Sequence, residues 1–156
     1  RSITFCRQEY TMAKPSAPSR DHYHWFTPIT TRWSDNDIYG HVNNVIYYSY
    51  FDSVANRYLI EVGRLDIHEG ASVGLVVNSS CDYHAPVAYP DALEGALRVD
   101  RLGNSSVQYG IGIFAEGSGE ACANGSFTHV FVDRVSNRPV PIPEPMRSAL
   151  EAISGP

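Results

Sequence analysis

Apolar and polar positions change their period twice along the chain. "HWFTPITTRW", His24 to Trp33, is aromatic and β-branched and predicts a strand. Pro28 within it predicts an edge or a bulge, because proline cannot donate to a central ladder. A polar segment, Ser34 to Asn43, follows. In "NVIYYSYFDSVANRYLIEVG" the residues Tyr47, Phe51, Val54, Tyr58 and Val62 recur at three and four residues, the helical period. Asn43 or Asn44 suits the N-cap of that helix and Gly63 its C′ stop. Ile46, Tyr50 and Leu59 add apolar surface on other sides, so the helix is expected to lie buried at the centre of the fold.

Beyond "LDIHEGAS" the period shortens. "GLVVNSSCDYHAPV", "ALEGALRVDRLG", "SSVQYGIGIFAEGSG" and "EACANGSFTHVFVDR" are strand-like runs punctuated by Gly, Asn and Ser. Their joints are too short for parallel crossovers, which predicts antiparallel pairing. "RPVPIPEPMRSALEAI" predicts a proline-rich stretch and a short helix starting near Pro143. The order strand, long helix, four strands, short helix predicts an α+β domain: an antiparallel sheet of five strands, or slightly more, wrapped around one central helix.

Composition narrows the function more than the fold. The 156 residues allow one domain, expected over 22–154. Residues 1–21 are expected to be disordered or extended: "KPSAPS" reads as a linker, and Met12 suits a native start that would make 1–11 an upstream extension. A net charge of −5 with no Lys/Arg run speaks against nucleic acid. Lys14 is the only lysine, the other basic residues being arginine. No window approaches the roughly 20 apolar residues of a membrane span, and no signal pattern opens the chain, so a cytoplasmic location is expected. Cys6, Cys81 and Cys122 are odd in number and widely spaced, which fits reduced thiols and gives the three Asn-x-Ser matches no weight as glycosylation sites.

The candidate chemistry sits in "RWSDNDIYGHVNNVIYYSYFDSVANRYL". This stretch, with its Asp-x-Asp followed by Gly-His-Val-Asn-Asn, resembles the hotdog-fold acyl-CoA thioesterases of the 4-hydroxybenzoyl-CoA thioesterase-like family. Weaker, collinear similarity continues through "VVNSSCDYHAPVAYPDALEGALRVDRLGNSSVQY", with its Tyr-x-x-Pro and Gly-x-Ser turn, to "FVDRVSNRPVPIPEPMRSAL". The resemblance covers roughly Tyr23 to Leu150. It implies hydrolysis of an acyl-CoA to a carboxylic acid and free CoA, no cofactor, and a homodimer or homotetramer with sites between subunits.

Hydrolysis of a thioester needs a nucleophile, or a base that activates water, and donors for the oxyanion. Asp37 stands six residues before the expected cap, and a helix N-terminus offers unpaired N–H groups at its positive end. The resemblance makes Asp37 the catalytic carboxylate, with His41 and Asn44 orienting it or the water. Gly40 would allow close approach of the substrate, the backbone of Val42, Asn43 and Asn44 would hold the oxyanion, and Tyr47 would line the acyl pocket. The related plant acyl-carrier-protein thioesterases carry Asp-x-Asn-x-His here. Asp37 and His41 match that pattern, but Tyr39 replaces its Asn, which favours a carboxylate-led mechanism. Each polar residue also has a plainer reading, since Asp and Asn before helices are common caps. Asp35 is expected to be structural and to pair with Arg32, and is the runner-up acid.

Other signals lead elsewhere. "GASVG" matches Gly-x-Ser-x-Gly, but a polar loop precedes Ser72 and a strand follows, the reverse of a nucleophile elbow. Cys81 and His84 are three apart on a strand and should face opposite sides. His22 and His24 share a face, but two histidines do not make a metal site, and none is expected. Arg98, Arg101, Arg134 and Arg138 are candidate partners for CoA phosphates by sign. The alternatives are a dehydratase of 3-hydroxyacyl thioesters, which would need His41 as base, and a non-catalytic acyl-CoA binding module on the same fold.

Overall fold

The computed structural model describes residues 15–156. The expected upstream extension, 1–11, lies outside the described residues. The chain is extended through Ser19, which bridges to Glu120, and Arg20–His22 form one 3-10 turn. Arg20 docks this segment, with its guanidinium 4.8 Å from the ring of Phe114 and 2.8 Å from Glu94.

The elements are β1 (Trp25–Thr30), α1 (Ile46–Glu61), β2 (Ser72–Tyr83), β3 (Ala92–Leu102), β4 (Ser106–Ala115), β5 (Ala123–Asp133) and α2 (Met146–Ala152). All pairs are antiparallel and the strand order is β1-β3-β4-β5-β2. Pro28 therefore stands on an edge strand, where its missing N–H is tolerated. The other edge is β2, whose Leu75, Val76 and Val77 are exposed.

One face of the sheet packs on α1. The buried helix residues Tyr47, Tyr50, Phe51, Val54, Ala55, Tyr58 and Leu59 follow the three-and-four spacing and meet Leu97, Tyr109, Ile111, Phe127 and Phe131. Gly95 lets the layers close: a Cβ there would lie 2.2 Å from Val54 Cγ2. The opposite face holds a smaller cluster of Tyr23, Ala96, Phe114 and Ala121.

Three expectations are corrected. The helix is not enclosed, since Asp52, Ser53, Arg57 and Ile60 on its outer side are exposed. Its apolar residues form one stripe rather than a full circumference. Val62 lies beyond the last turn and is exposed. The left-handed residue after the helix is Arg64, at φ 56°, not Gly63. Gly63 is needed for space, because a Cβ would stand 2.8 Å from the carbonyl oxygen of Leu59.

His129 is a polar group inside the core, 1% exposed among the rings of Tyr109, Phe127 and Phe131, and Nδ1 lies 3.3 Å from the Tyr109 hydroxyl. Burial lowers its pKa to about 4, against a weaker upward pull from Asp52. Below the ordinary value near 6.5 the unfolded chain takes up a proton that the folded chain refuses, so stability falls with pH. Between pH 7 and pH 5 the loss from this residue is expected to be about 2 kcal/mol. Urea unfolding of wild type and His129→Gln at both pH values checks it: the mutant should lose that much less, and equal losses would refute the assignment.

Candidate active site

The loop from β1 to α1 is built around Asp35, which is fully buried. The backbone N–H of Arg32 donates to Oδ2 at 2.9 Å and the Tyr50 hydroxyl donates to the same oxygen at 2.7 Å. Arg32 Nε donates to Oδ1 at 3.0 Å, and its Nη2 stands equally close. Burial alone would raise the carboxyl pKa, but these donations together outweigh it and hold the group below its ordinary value. Asp35 is thus buried and paired with Arg32, as expected. Its carbonyl also accepts the N–H of Asn43 at 2.8 Å, tying the end of the loop to its start.

Between these anchors runs a small hairpin closed by a bridge from Asn36 to Val42. Asp37 N–H donates to the His41 carbonyl and Gly40 N–H donates to the Asp37 carbonyl, both at 3.0 Å. Gly40 turns the chain at φ 80°, a conformation that costs other residues. Asp37 Oδ1 accepts the N–H of Tyr39 at 2.8 Å, an Asx turn that fixes the side chain over its own loop. The ring of His41 makes no hydrogen bond among the described residues, so its link to Asp37 runs through the backbone.

The start of α1 corrects the capping expectation: Val45, not Asn43 or Asn44, flanks the helix, and no side chain caps it. Asn43 Oδ1 accepts the N–H of Val45 at 3.1 Å, an Asx turn just ahead of the helix, and the Asn43 carbonyl accepts the N–H of Ile46 at 3.0 Å. Val42 N–H donates to the Val87 carbonyl at 2.8 Å. Of the three backbone donors expected near the oxyanion, those of Val42 and Asn43 are thus already engaged. The N–H of Asn44 has no acceptor among the described residues.

Two shallow depressions flank the hairpin. Asp37 lines one of about 440 Å³ with Trp33, Asn36, Ile38 and Gly40. His41, Val42, Asn44 and Tyr47 line another of about 260 Å³ with Tyr83 and His84 among its other walls. In the single chain Asp37 and Gly40 thus line one concavity, His41, Val42, Asn44 and Tyr47 the other, and Asn43 neither. Trp33, Ile38 and Tyr39 are 83%, 95% and 82% exposed, a large apolar surface around the acid.

Tyr83, which opens the Tyr-x-x-Pro already noted but was not among the expected residues, lines the second depression. Its hydroxyl donates to the Asn44 carbonyl at 2.9 Å and its ring meets Tyr47 edge-on at 5.1 Å. Burial pushes the hydroxyls of Tyr47 and Tyr83 above the ordinary range, so both remain donors at neutral pH. Burial also raises Cys81 and Cys122 to about 11, which leaves them as thiols and unsuited as nucleophiles. Cys6 lies outside the described residues. Ser72 opens β2, with no helix after it.

A five-stranded antiparallel sheet on one long helix, with an acid-bearing hairpin at the helix start, is the architecture of a hotdog-fold thioesterase. The chain belongs to the thioesterase-like superfamily, whose family model matches residues 31–150. It is similar to the PA5185 protein of Pseudomonas aeruginosa, with 61% identity, a TM-score of 0.88, and 90% of this chain and 98% of that one covered. PA2801 of the same organism, a candidate thioesterase, is 29% identical at a TM-score of 0.74, over 80% of this chain and 96% of that one. The 1,4-dihydroxy-2-naphthoyl-CoA thioesterase Slr0204 of Synechocystis shares the fold at a TM-score of 0.72, with 19% identity over 80% and 93% of the two chains.

Proposed function

We propose that this thioesterase hydrolyses acyl-CoA thioesters through Asp37, with the N–H of Asn44 as the oxyanion donor. The observation that carries this reading is the division of labour at the helix start. Val42 and Asn43 spend their N–H groups on the fold, while the next one, at Asn44, is left for a ligand beside the hairpin that presents a fixed carboxylate. A donor at the positive end of a helix strengthens as charge develops on the thioester oxygen. Asp37 either attacks the thioester carbon or takes a proton from the attacking water. Both routes break the carbon–sulfur bond, deliver the water oxygen to the acid and return a proton to the leaving thiolate.

The remaining roles follow from position. Gly40 gives the hairpin its turn, and Tyr83 and Tyr47 brace the Asn44 segment. His41, at the neighbouring depression, takes the role of orienting the carboxylate or the water. The two depressions would be completed by a second copy of the chain: β2 has a free edge and exposed Leu75, Val76 and Val77, a combination that favours strand pairing. Sedimentation is expected to give a dimer or tetramer, and a monomer at assay concentration with full activity would refute the shared site. Thiol release across aliphatic and aromatic acyl-CoAs, run beside the Asp37→Asn control discussed below, tests the activity. No release from any of them would end this reading.

A further inference from the structure

A third concavity, which shares no lining residue with the depressions of the hairpin, has a different character. It is a groove of about 300 Å³ between edge strand β1 and the outer side of α1. Ser49, Ser53 and Arg57 come from the helix at four-residue spacing, one stripe along its surface. Thr27, Thr30 and Arg32 come from β1 and the residues just beyond it. The lining contains two guanidinium groups and no carboxylate, in a chain whose net charge is −5. By contrast, the depression on the other side of β1 is lined by Asp91, Glu94 and Glu116.

Both arginines keep donors in reserve. Arg57 meets Glu61 through Nε at 2.8 Å, which leaves its two terminal nitrogens. Arg32 gives Nε and one terminal nitrogen to Asp35 and keeps the other. The floor supplies an independent observation. Thr27 is 4% exposed, and its Oγ1 is the one buried side-chain polar atom among the described residues without a hydrogen-bond partner. A buried hydroxyl left unpaired is costly and rare, so it marks a place where a partner is missing.

We infer that this groove is a binding site for a phosphate group, held by Arg57 and Arg32 and hydrogen-bonded by the Thr27 hydroxyl. Guanidinium forks suit phosphate oxygens, and the serine hydroxyls can complete the set. Two of the arginines singled out from the sequence are committed elsewhere: Arg98 donates to Asp100, and Arg134 to the carbonyls of Gly70 and Ile67. The phosphate can belong to the CoA of the substrate, an attribution that rests on the function proposed above, or to a separate phosphorylated ligand. The site itself stands without that reading.

Calorimetric titration with CoA and with inorganic pyrophosphate tests it, using Arg57→Gln and Thr27→Val. Arg57→Gln loses only an exposed helix pair and should fold normally. It is expected to weaken binding of the probe by about tenfold. Thr27→Val should also weaken binding, yet leave the free protein as stable as wild type or more so, because it removes the unpaired hydroxyl. A KM raised by Arg57→Gln for an acyl-CoA but not for the matching pantetheine thioester would assign the phosphate to the substrate. Weakened pyrophosphate binding with an unchanged KM would assign it to a separate ligand. Wild-type affinity in both variants, or no binding of either probe by the wild type, would overturn the inference whether or not the chain hydrolyses acyl-CoA.

Discussion

Asp37→Asn is expected to lower kcat for thioester hydrolysis by about 10²- to 10⁴-fold, the range of a positioned acid–base group, while leaving thermal stability unchanged. The stability half follows from where the side chain sits. Its one hydrogen bond among the described residues is the Asx turn to Tyr39 N–H, and the amide oxygen of asparagine can accept that bond equally well. The hairpin, its bridge from Asn36 to Val42 and the turn at Gly40 depend on the backbone and are untouched. The activity half follows because the amide is neither a base nor a nucleophile at neutral pH. Thiol release under single-turnover conditions, with a thermal melt of the same preparation, checks both. Full activity in the folded variant would refute the assignment of Asp37 and move attention to His41.

Asp35→Ala is expected to do the reverse in order of cause: it unfolds the site by weakening the fold. The substitution removes the shared acceptor of the Arg32 backbone, the Arg32 guanidinium and the buried Tyr50 hydroxyl. Leaving such donors unpaired costs about 3 kcal/mol, moderated because the Arg32 side chain is largely exposed. For a chain of this size that corresponds to a fall of roughly 10 °C in melting temperature. The folded carboxyl lies below its ordinary pKa, so its contribution is present above the carboxylate range and is lost as pH falls through the folded value. The wild-type and mutant stabilities should therefore converge in acid. Activity should fall too, since the carbonyl of residue 35 also holds Asn43 at the helix start. A melting temperature equal to wild type would show that Asp35 does not carry the loop.

The pair separates two acids that look alike in "SDND". Their difference was partly legible. Arg32 three residues before Asp35 suggested an ion pair, and the glycine and histidine after Asp37 suggested a functional turn. Tyr50 as the third partner of Asp35 was not legible, because it comes from the second turn of α1, which returns over the loop only in the folded chain. That neither Asn43 nor Asn44 caps the helix was equally hidden in sequence. With the loop ends pinned by Asp35 and Val87, the Asn43 side chain turns onto the N–H of Val45 and the helix begins beyond it.

Periodicity alone determined the elements and their order. The three-and-four spacing from Tyr47 to Tyr58 requires a helix, and the short punctuated runs after residue 71 allow little but antiparallel strands. The motif around Asp37 pointed to the chemistry for a related reason: acid, turn and helix start are contiguous in the chain. What is not contiguous was left to the tertiary structure. The polar outer side of α1 becomes visible only when the sheet covers the other side. The meeting of Tyr83 with Asn44, and the sharing of one groove by Thr27 and Arg57, need β2 and β1 brought against the helix. Local spacing fixes which face of an element is apolar, but only packing decides which polar groups are left facing one another.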